Sequence, residues 1–376
     1  MVKGMGSEMP QHDRDMPKYE QLKQMITENI RRGIWKVGDK IPLDKEWCEE
    51  LKVSKITVQK AKQELMAEGV LETLPGRRGT FVSHQTKHIS SSDFIGVALD
   101  DVKTIPFDAM LRGIEDKLWE YRLHPILCNV HSNYEKVEDY FHSLLKGAVA
   151  GVIFAPVRGS KYLDSEHIVN LLAERHIPCV LVDRYIPGLL INSVHSNNLQ
   201  ASKELTKKLI AKGHSRILVV VGTECTTIEN RLQGYLDALE EADIAQDPRL
   251  IIRINDIAFE TEHLPQEIER MRAQITQAGD FTACYTLNSP AFQVAVTAIF
   301  ENGLSPQQRE RLEFATYDYT PQELTRFVKH VLVVKQPAYQ MGWEAARLLM
   351  DVINTPDAPI IQMTLKAEIV EEVIAS

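Results

Sequence analysis

From Phe94 onward the chain alternates short apolar runs with amphipathic ones, at a spacing that leaves few folds open. FIGVALDD, PILCNV, AGVIFAP, PCVLVD, RILVVVG, LIIRI, ACYTL, EFATYD and VLVVKQ read as strands. Between them MLRGIEDKLWEYR, YEKVEDYFHSLLKG, SEHIVNLLAERH, LQASKELTKKLIAKG, NRLQGYLDALEEA and SPAFQVAVTAIFENG carry helical spacing. Strands separated by a helix pair in parallel, and the helices cover both faces of the sheet. About ten candidate strands are too many for one small doubly wound domain and suit two. Ligands of such sheets bind beyond the carboxyl ends of the strands, so the residues just after each strand are the ones to weigh.

The segment before this, ELKVSKITVQKAKQELMAEGVLETLPGRRGTFV over residues 50–82, follows another pattern. A turn ends at Ser54, and Val58, Ala61, Leu65 and Met66 then share one helical stripe, with Lys55, Thr57, Gln59 and Lys60 on the other side. Gly69 ends the helix. VLETL and TFVSH are short β-rich runs joined by Pro75-Gly76-Arg77-Arg78-Gly79, where glycine permits positive φ and arginine can meet phosphate or the minor groove. A charged hairpin tip beside a polar helix suits DNA; a solvated helix face is the plainer reading of the same charges.

The net charge of −9 is unevenly divided. Residues 17–88 hold 14 Lys or Arg against 10 Asp or Glu, residues 1–16 are net −1, and the remainder is therefore near −12. A mildly basic head on an acidic body would be steered to DNA by the head alone. Five scattered cysteines form no metal spacing and argue against a disulfide framework, which fits a reducing cytoplasm. The sequence shows no signal-like start and no run near the roughly 18 apolar residues of a membrane span. No paired-histidine motif, nucleophile elbow or phosphate loop is present, so neither cofactor, metal nor catalysis is expected.

Two resemblances refine this reading. Residues 17–82 resemble the winged helix-turn-helix of GntR-family bacterial regulators, through Pro17 and Tyr19, Gly33, Gly38-Asp39, Ile41-Pro42, Val53-Ser54, Thr57-Val58, Glu68-Gly69 and Gly79-Thr80-Phe81-Val82. Where that family has Ser-Glu-Arg this chain has Leu43-Asp44-Lys45, and Ser54-Lys55 replaces Ser-Arg. With lysine in place of arginine, bidentate guanine readout is weaker at those two points. The resemblance implies DNA contacts from Lys45, Ser54, Lys55, Thr57, Gln59, Lys60, Arg77 and Arg78. An extra residue between the wing glycines leaves open which of the two arginines reaches DNA.

From Phe94 the chain is similar to the effector-binding body of the LacI family. VLVDRYIPG, INSVHSNN, LIAKGHSRI, TIENRLQGYLDALEEA, YTLNSPAFQVAVTAIFENGLSP, EFATYD and VVKQPAYQMGWEAARLLMDVI carry the likeness. It implies a sugar pocket built from Arg231, Asn288, Asp318 and Gln336, with Asp100, Asp101 and Phe107 after the first strand and Asp183 and Arg184 after VLVD. Plainer roles stand beside these: Asp183 and Arg184 as a mutual ion pair, Phe107 as core, Gln336 as a backbone partner at a crossover. Where the family has Asp after the asparagine this chain has Ser289, expected to cap the next helix with Pro290 at its first position.

The expected architecture is α/β, an N-terminal winged helix-turn-helix plus a two-lobed doubly wound parallel-sheet effector domain. Its boundaries are a flexible leader at 1–16, the winged helix at 17–84, a linker at 85–93 and the body at 94–376. Lobe one is expected over 94–195 and 337–358, lobe two over 196–336 and 359–376. The function implied is a cytoplasmic, homodimeric, ligand-responsive regulator. It would be a repressor of a sugar-use operon that binds double-stranded operator DNA and is released by a neutral arabinose- or fucose-like monosaccharide. An activator of the same architecture and a transport-type sugar-binding protein are the alternatives.

Overall fold

A computed structural model describes residues 17–31, 34–74, 76–83, 92–103, 105–131, 133–146, 149–159, 162–255, 264–301, 306–318, 328, 330–355 and 358–373. The expected leader, most of the linker, Gly33, Pro75 and Gly303, where the sequence predicts a helix end, lie outside them. The main division of the chain into two compact units falls between Asp93 and Phe94.

In the first unit, α1 (Lys18–Arg31), α2 (Asp44–Leu51) and α3 (Lys55–Ala67) precede a two-stranded wing of β1 (Leu71–Glu72) and β2 (Phe81–Val82). Leu22 and Ile26 of α1, Trp47 of α2, and Val58, Ala61 and Leu65 of α3 close one core with Leu71 and Val82 of the wing. The Trp35 and Trp47 rings meet edge to face at 5.9 Å. The apolar stripe of α3 differs from the expected one at two places: Met66 is half-buried, and Lys62 is buried instead. Its ammonium sits 2.8 Å from both the Pro42 carbonyl and Asp44 Oδ1, so a buried charge is satisfied while α3 is fastened to the start of α2.

The second unit opens with β3 (Phe94–Leu99), α4 (Phe107–Trp119), β4 (His124–Asn129), α5 (Tyr134–Lys146), β5 (Gly151–Phe154), α6 (Tyr162–Glu174), β6 (Cys179–Val182) and β7 (Ser193–Ser196). There follow α7 (Asn198–Ala211), β8 (Ile217–Val221), α8 (Thr226–Glu241), β9 (Ile251–Arg253), α9 (Leu264–Ala278), β10 (Ala283–Thr286) and α10 (Ser289–Glu301). The chain then runs through α11 (Pro306–Arg311), β11 (Glu313–Tyr317), β12 (His330–Lys335), α12 (Ala338–Asn354), β13 (Gln362–Leu365) and β14 (Glu368–Val373). Two six-stranded sheets result, ordered β13-β7-β6-β5-β3-β4 in lobe one and β14-β12-β11-β10-β8-β9 in lobe two. Every pairing is parallel except β12 with β14. Strand β8, Ile-Leu-Val-Val-Val, is buried along its length: Leu218 and Val220 join one core, Ile217, Val219 and Val221 the other. Burial on both faces is what its unbroken apolar run requires.

The lobes are joined three times: at Asn197 between β7 and α7, at Gln336–Pro337 between β12 and α12, and at Lys366–Ala367 between β13 and β14. The third corrects the expected crossing near 357–360, because β13 pairs with β7 and so belongs to lobe one. Its Gln-Met-Thr-Leu is an edge strand of alternating exposure, with none of the apolar run that marks the central strands. Helix α12 packs on α4 of lobe one through glycine. A methyl group on Gly342 would stand 1.9 Å from the Met110 carbonyl oxygen, and one on Gly113 2.0 Å from that of Tyr339. Substituting Gly342→Ala is expected to force these helices apart at a cost of about 3 kcal/mol. Urea unfolding should show a lower midpoint, and an unchanged one would mean that the crossing relaxes freely.

Candidate functional site

Helix α3 starts at Ser54, whose hydroxyl accepts the Thr57 N–H at 3.1 Å and lies 2.8 Å from the Thr57 hydroxyl. Both residues therefore build the helix start, and Thr57 is only half-exposed. Lys55 and Gln59 are exposed along one strip, as are Arg77 and Arg78 in the wing turn. Lys60 places its ammonium 3.6 Å from the centre of the Tyr19 ring, and Lys45 lies 3.7 Å from Glu49 one turn on. Sequence reasoning missed Ile56, which is 77% exposed. Helical spacing puts it on the side of Gln59 and Gln63, and that periodicity was the available signal.

In the second unit the strand ends bring together two groups of the expected residues. Around lobe one, the buried Asp100 carboxylate accepts Arg184 Nη2 at 2.9 Å and Arg158 Nε at 2.7 Å, while Arg184 Nη1 donates to the Pro156 carbonyl. Asp183 Oδ2 stands 3.2 Å from Arg184 Nε, and the Phe107 ring centre is 5.6 Å from the guanidinium. The mutual ion pair and a buried Phe107 are thus both present. Asp101 accepts the Lys103 N–H, shaping its own turn.

Around lobe two, Arg231 is 3% exposed. Its Nε donates to Asn198 Oδ1 and its Nη1 to the Leu287 carbonyl, each at 2.7 Å, and the guanidinium lies 3.6 Å from the centre of the Tyr317 ring. Asp318 accepts the Gln336 backbone N–H at 3.2 Å and Gln336 Nε2 at 2.8 Å, while Gln336 Oε1 accepts the Ser196 hydroxyl at 2.5 Å. The amide of Gln336 so ties the end of β7 to the end of β11 beside the second lobe connection. Asn288 Oδ1 accepts the Ala291 N–H at 2.9 Å. This corrects the expected cap: Asn288 caps α10, Ser289 is its first residue and Pro290 its second, so the missing aspartate leaves the helix start intact. Asn198, Tyr317, Arg158 and Ser196 were not anticipated, because each acts on another side chain that is distant in sequence.

Residues 92–369 match the family described as periplasmic binding proteins and sugar binding domain of LacI family. Residues 18–82 match the bacterial regulatory proteins of the gntR family. The chain belongs to the LacI-type sugar-binding-domain family. Its head is a GntR-type DNA-binding domain, and the whole is a transcription regulator. The arabinose metabolism transcriptional repressor of Geobacillus stearothermophilus is 25% identical over 347 residues, 91% of this chain and 93% of the relative. The transcription regulator CcpA of Lactococcus lactis matches with a TM-score of 0.62 at 25% identity, over 74% of this chain and 97% of that one. A LacI family transcriptional regulator from Enterococcus faecium with bound ribose shares the fold, with a TM-score of 0.60 at 22% identity over 75% of this chain and 98% of that one.

Within the GntR-type head, Leu43 occupies the position before α2 where the family's pattern has serine. Leucine has no acceptor to offer, so only the return half of a capping box remains, Glu46 Oε2 accepting the Leu43 N–H at 2.6 Å. Within the LacI-type body, the two aspartates that end β6 and β11, Asp183 and Asp318, both adopt left-handed φ, at 65° and 66°. Burial pushes the Asp318 carboxyl up to about 6; Arg231 and the Gln336 hydrogen bonds pull it down and the Asp183 charge adds to the rise.

Between about pH 4 and 6 the folded protein holds a proton on Asp318 that the unfolded chain has released, so stability falls as pH rises through that window and stays lower above it. Asp318→Asn removes the loss, since Gln336 can turn its amide to meet the new one. The variant is expected to melt above the parent at neutral pH, with the gap closing toward pH 4. A lower melting temperature at neutral pH would show that the carboxylate's hydrogen bonds outweigh its burial.

Proposed function

We propose that this regulator represses a sugar-use operon as a cytoplasmic homodimer and leaves its operator when a neutral, arabinose- or fucose-like monosaccharide enters the body. The observation that carries the reading is the Arg231, Tyr317, Asp318 and Gln336 cluster at the strand ends, in a chain that also holds a DNA-binding head. Sugar hydroxyls donate and accept in pairs, which carboxylates, amides and guanidinium groups answer, while ring faces cover C–H surface. Asn288, Asp183, Asp100, Asp101, Phe107 and Arg184 would complete the surroundings. Relatives named for arabinose metabolism and bound to ribose support a pentose-like class. The reading is of a sensor with no catalytic step and no cofactor.

On DNA, Lys55, Gln59, Arg77 and Arg78 would make the contacts, with Lys45 beside them and Lys60 held over Tyr19. Ser54 and Thr57 would act mainly by fixing where α3 begins. Lys55→Ala is expected to weaken operator binding. If its contact is to phosphate, the loss is uniform across sequences and the salt slope falls by about one; relaxed preference at one base would mark a base contact. Gel-shift affinity equal to the parent's would remove Lys55 from the interface.

Release demands that the sugar favour the form with poor operator affinity, and linkage makes the effect reciprocal. Sugar affinity should therefore be lower with operator present, by the same factor by which sugar weakens operator binding. Calorimetry on the full chain with and without operator checks this. Equal affinities would exclude allosteric release, and tighter sugar binding with DNA would make the protein an activator or a corepressed regulator.

A further inference from the structure

A cavity of about 410 Å³ beside the lobe connections is not used by the cleft reading. Its size is within the range of pockets that hold small ligands. Lobe one supplies Tyr185, His195 and Thr364; lobe two supplies Gln200 and Asn230. Among the described residues no Asp, Glu, Lys or Arg lines it. Burial holds the His195 imidazole below its usual range, against the pull of Asp183, so that ring is neutral as well. A charged guest would lose its hydration there with no counter-charge in return, whereas amides and hydroxyls suit a neutral one.

Two further features fit the same guest. Asn197, at the start of α7, spends Oδ1 on the Ala367 N–H at 2.8 Å, so α7 begins without a side-chain cap, and its first turn forms part of the wall. Free N–H donors at a helix start favour an oxygen atom. The Tyr185 and His195 rings lie 5.4 Å apart at 46°, offering apolar faces for C–H groups.

The cavity spans both lobes, and its wall is hydrogen-bonded to the Arg231 and Asp318 cluster. Asn230 Nδ2 donates to the Tyr185 hydroxyl at 3.1 Å, a direct tie between lobe two and lobe one. Of its other wall residues, Asn198 holds the Arg231 guanidinium and Ser196 holds Gln336, which in turn holds Asp318. We propose that this cavity is a second binding site, for an uncharged polyhydroxy molecule such as a polyol or sugar, whose occupant biases the angle between the lobes. A guest touching both lobes binds their different arrangements unequally, and unequal binding shifts the arrangement.

The test is calorimetric titration of the full chain with xylitol, arabinose, ribose, glucose and sucrose, with ribose 5-phosphate as the charged control. At least one neutral probe is expected to fill two sets of sites. Gln200→Trp, which puts bulk into the cavity, should abolish one set and leave the other. Thr364→Val, a near-isosteric change on an exposed strand, should weaken that same set by about tenfold with the fold retained. Asp318→Ala should remove the other set, so failure of the cleft reading shows separately as a set insensitive to Asp318. A single set of sites that is lost in Asp318→Ala and untouched by the cavity variants overturns the proposal. So do two sets that both survive the cavity variants, or a second set that takes ribose 5-phosphate more tightly than any neutral sugar.

Discussion

The buried guanidinium of Arg231 organises lobe two around the ends of its strands. A cation 3% exposed is tolerated only when its hydrogen-bonding directions are answered. The answers come from three places: the side chain of Asn198 at the start of α7, the carbonyl of Leu287 after β10 and the face of Tyr317 at the end of β11. Tyr317 is fixed in turn by its hydroxyl, which donates to the Asn198 carbonyl at 3.0 Å. Asp318 follows Tyr317 directly, so its carboxylate inherits a position set by the cation that also moderates its charge.

From there the constraint passes to the lobe connections. Gln336 bonds Asp318 on one side and Ser196 on the other, and Asn197 bonds the third connection through its side chain to Ala367 and its backbone N–H to the Leu365 carbonyl. All three connections therefore carry side-chain hydrogen bonds beside the residues expected to meet an effector. A change in what Asp318 or Gln336 bonds must be felt where the lobes pivot, because the same amide serves both.

How far the sequence could be read follows from what each element buries. Strands such as β5, β6 and β8 announce themselves because parallel strands covered on both faces must be apolar throughout. Strand β13 does not, since an edge strand shows water one side chain in two, and β7 is four residues that include two serines. The same limit applies to the site. Arg231, Asp318 and Gln336 were legible through family resemblance. Asn198, Tyr317 and Ser196 were not, because their importance lies in contacts with residues remote in sequence. Lys62 shows the converse: its charge argued for a surface position, and only Pro42 and Asp44, folded back from about twenty residues earlier, make burial tolerable.

The polar groups expected to meet a sugar are already engaged with protein partners: Asp100 with Arg184, Asp318 with Gln336, Asn288 with the start of α10, Arg231 with Asn198 and Leu287. A sugar entering the cleft would exchange such bonds for its own rather than fill unused valences. Net gain per exchanged hydrogen bond is small, about 1 kcal/mol, so affinity would come from the sum of several exchanges and from covered C–H surface. Exchange of the Asp318–Gln336 bond also releases a protein group from a partner that holds a lobe connection. An effector that binds by substitution is therefore coupled to lobe geometry by its mode of binding.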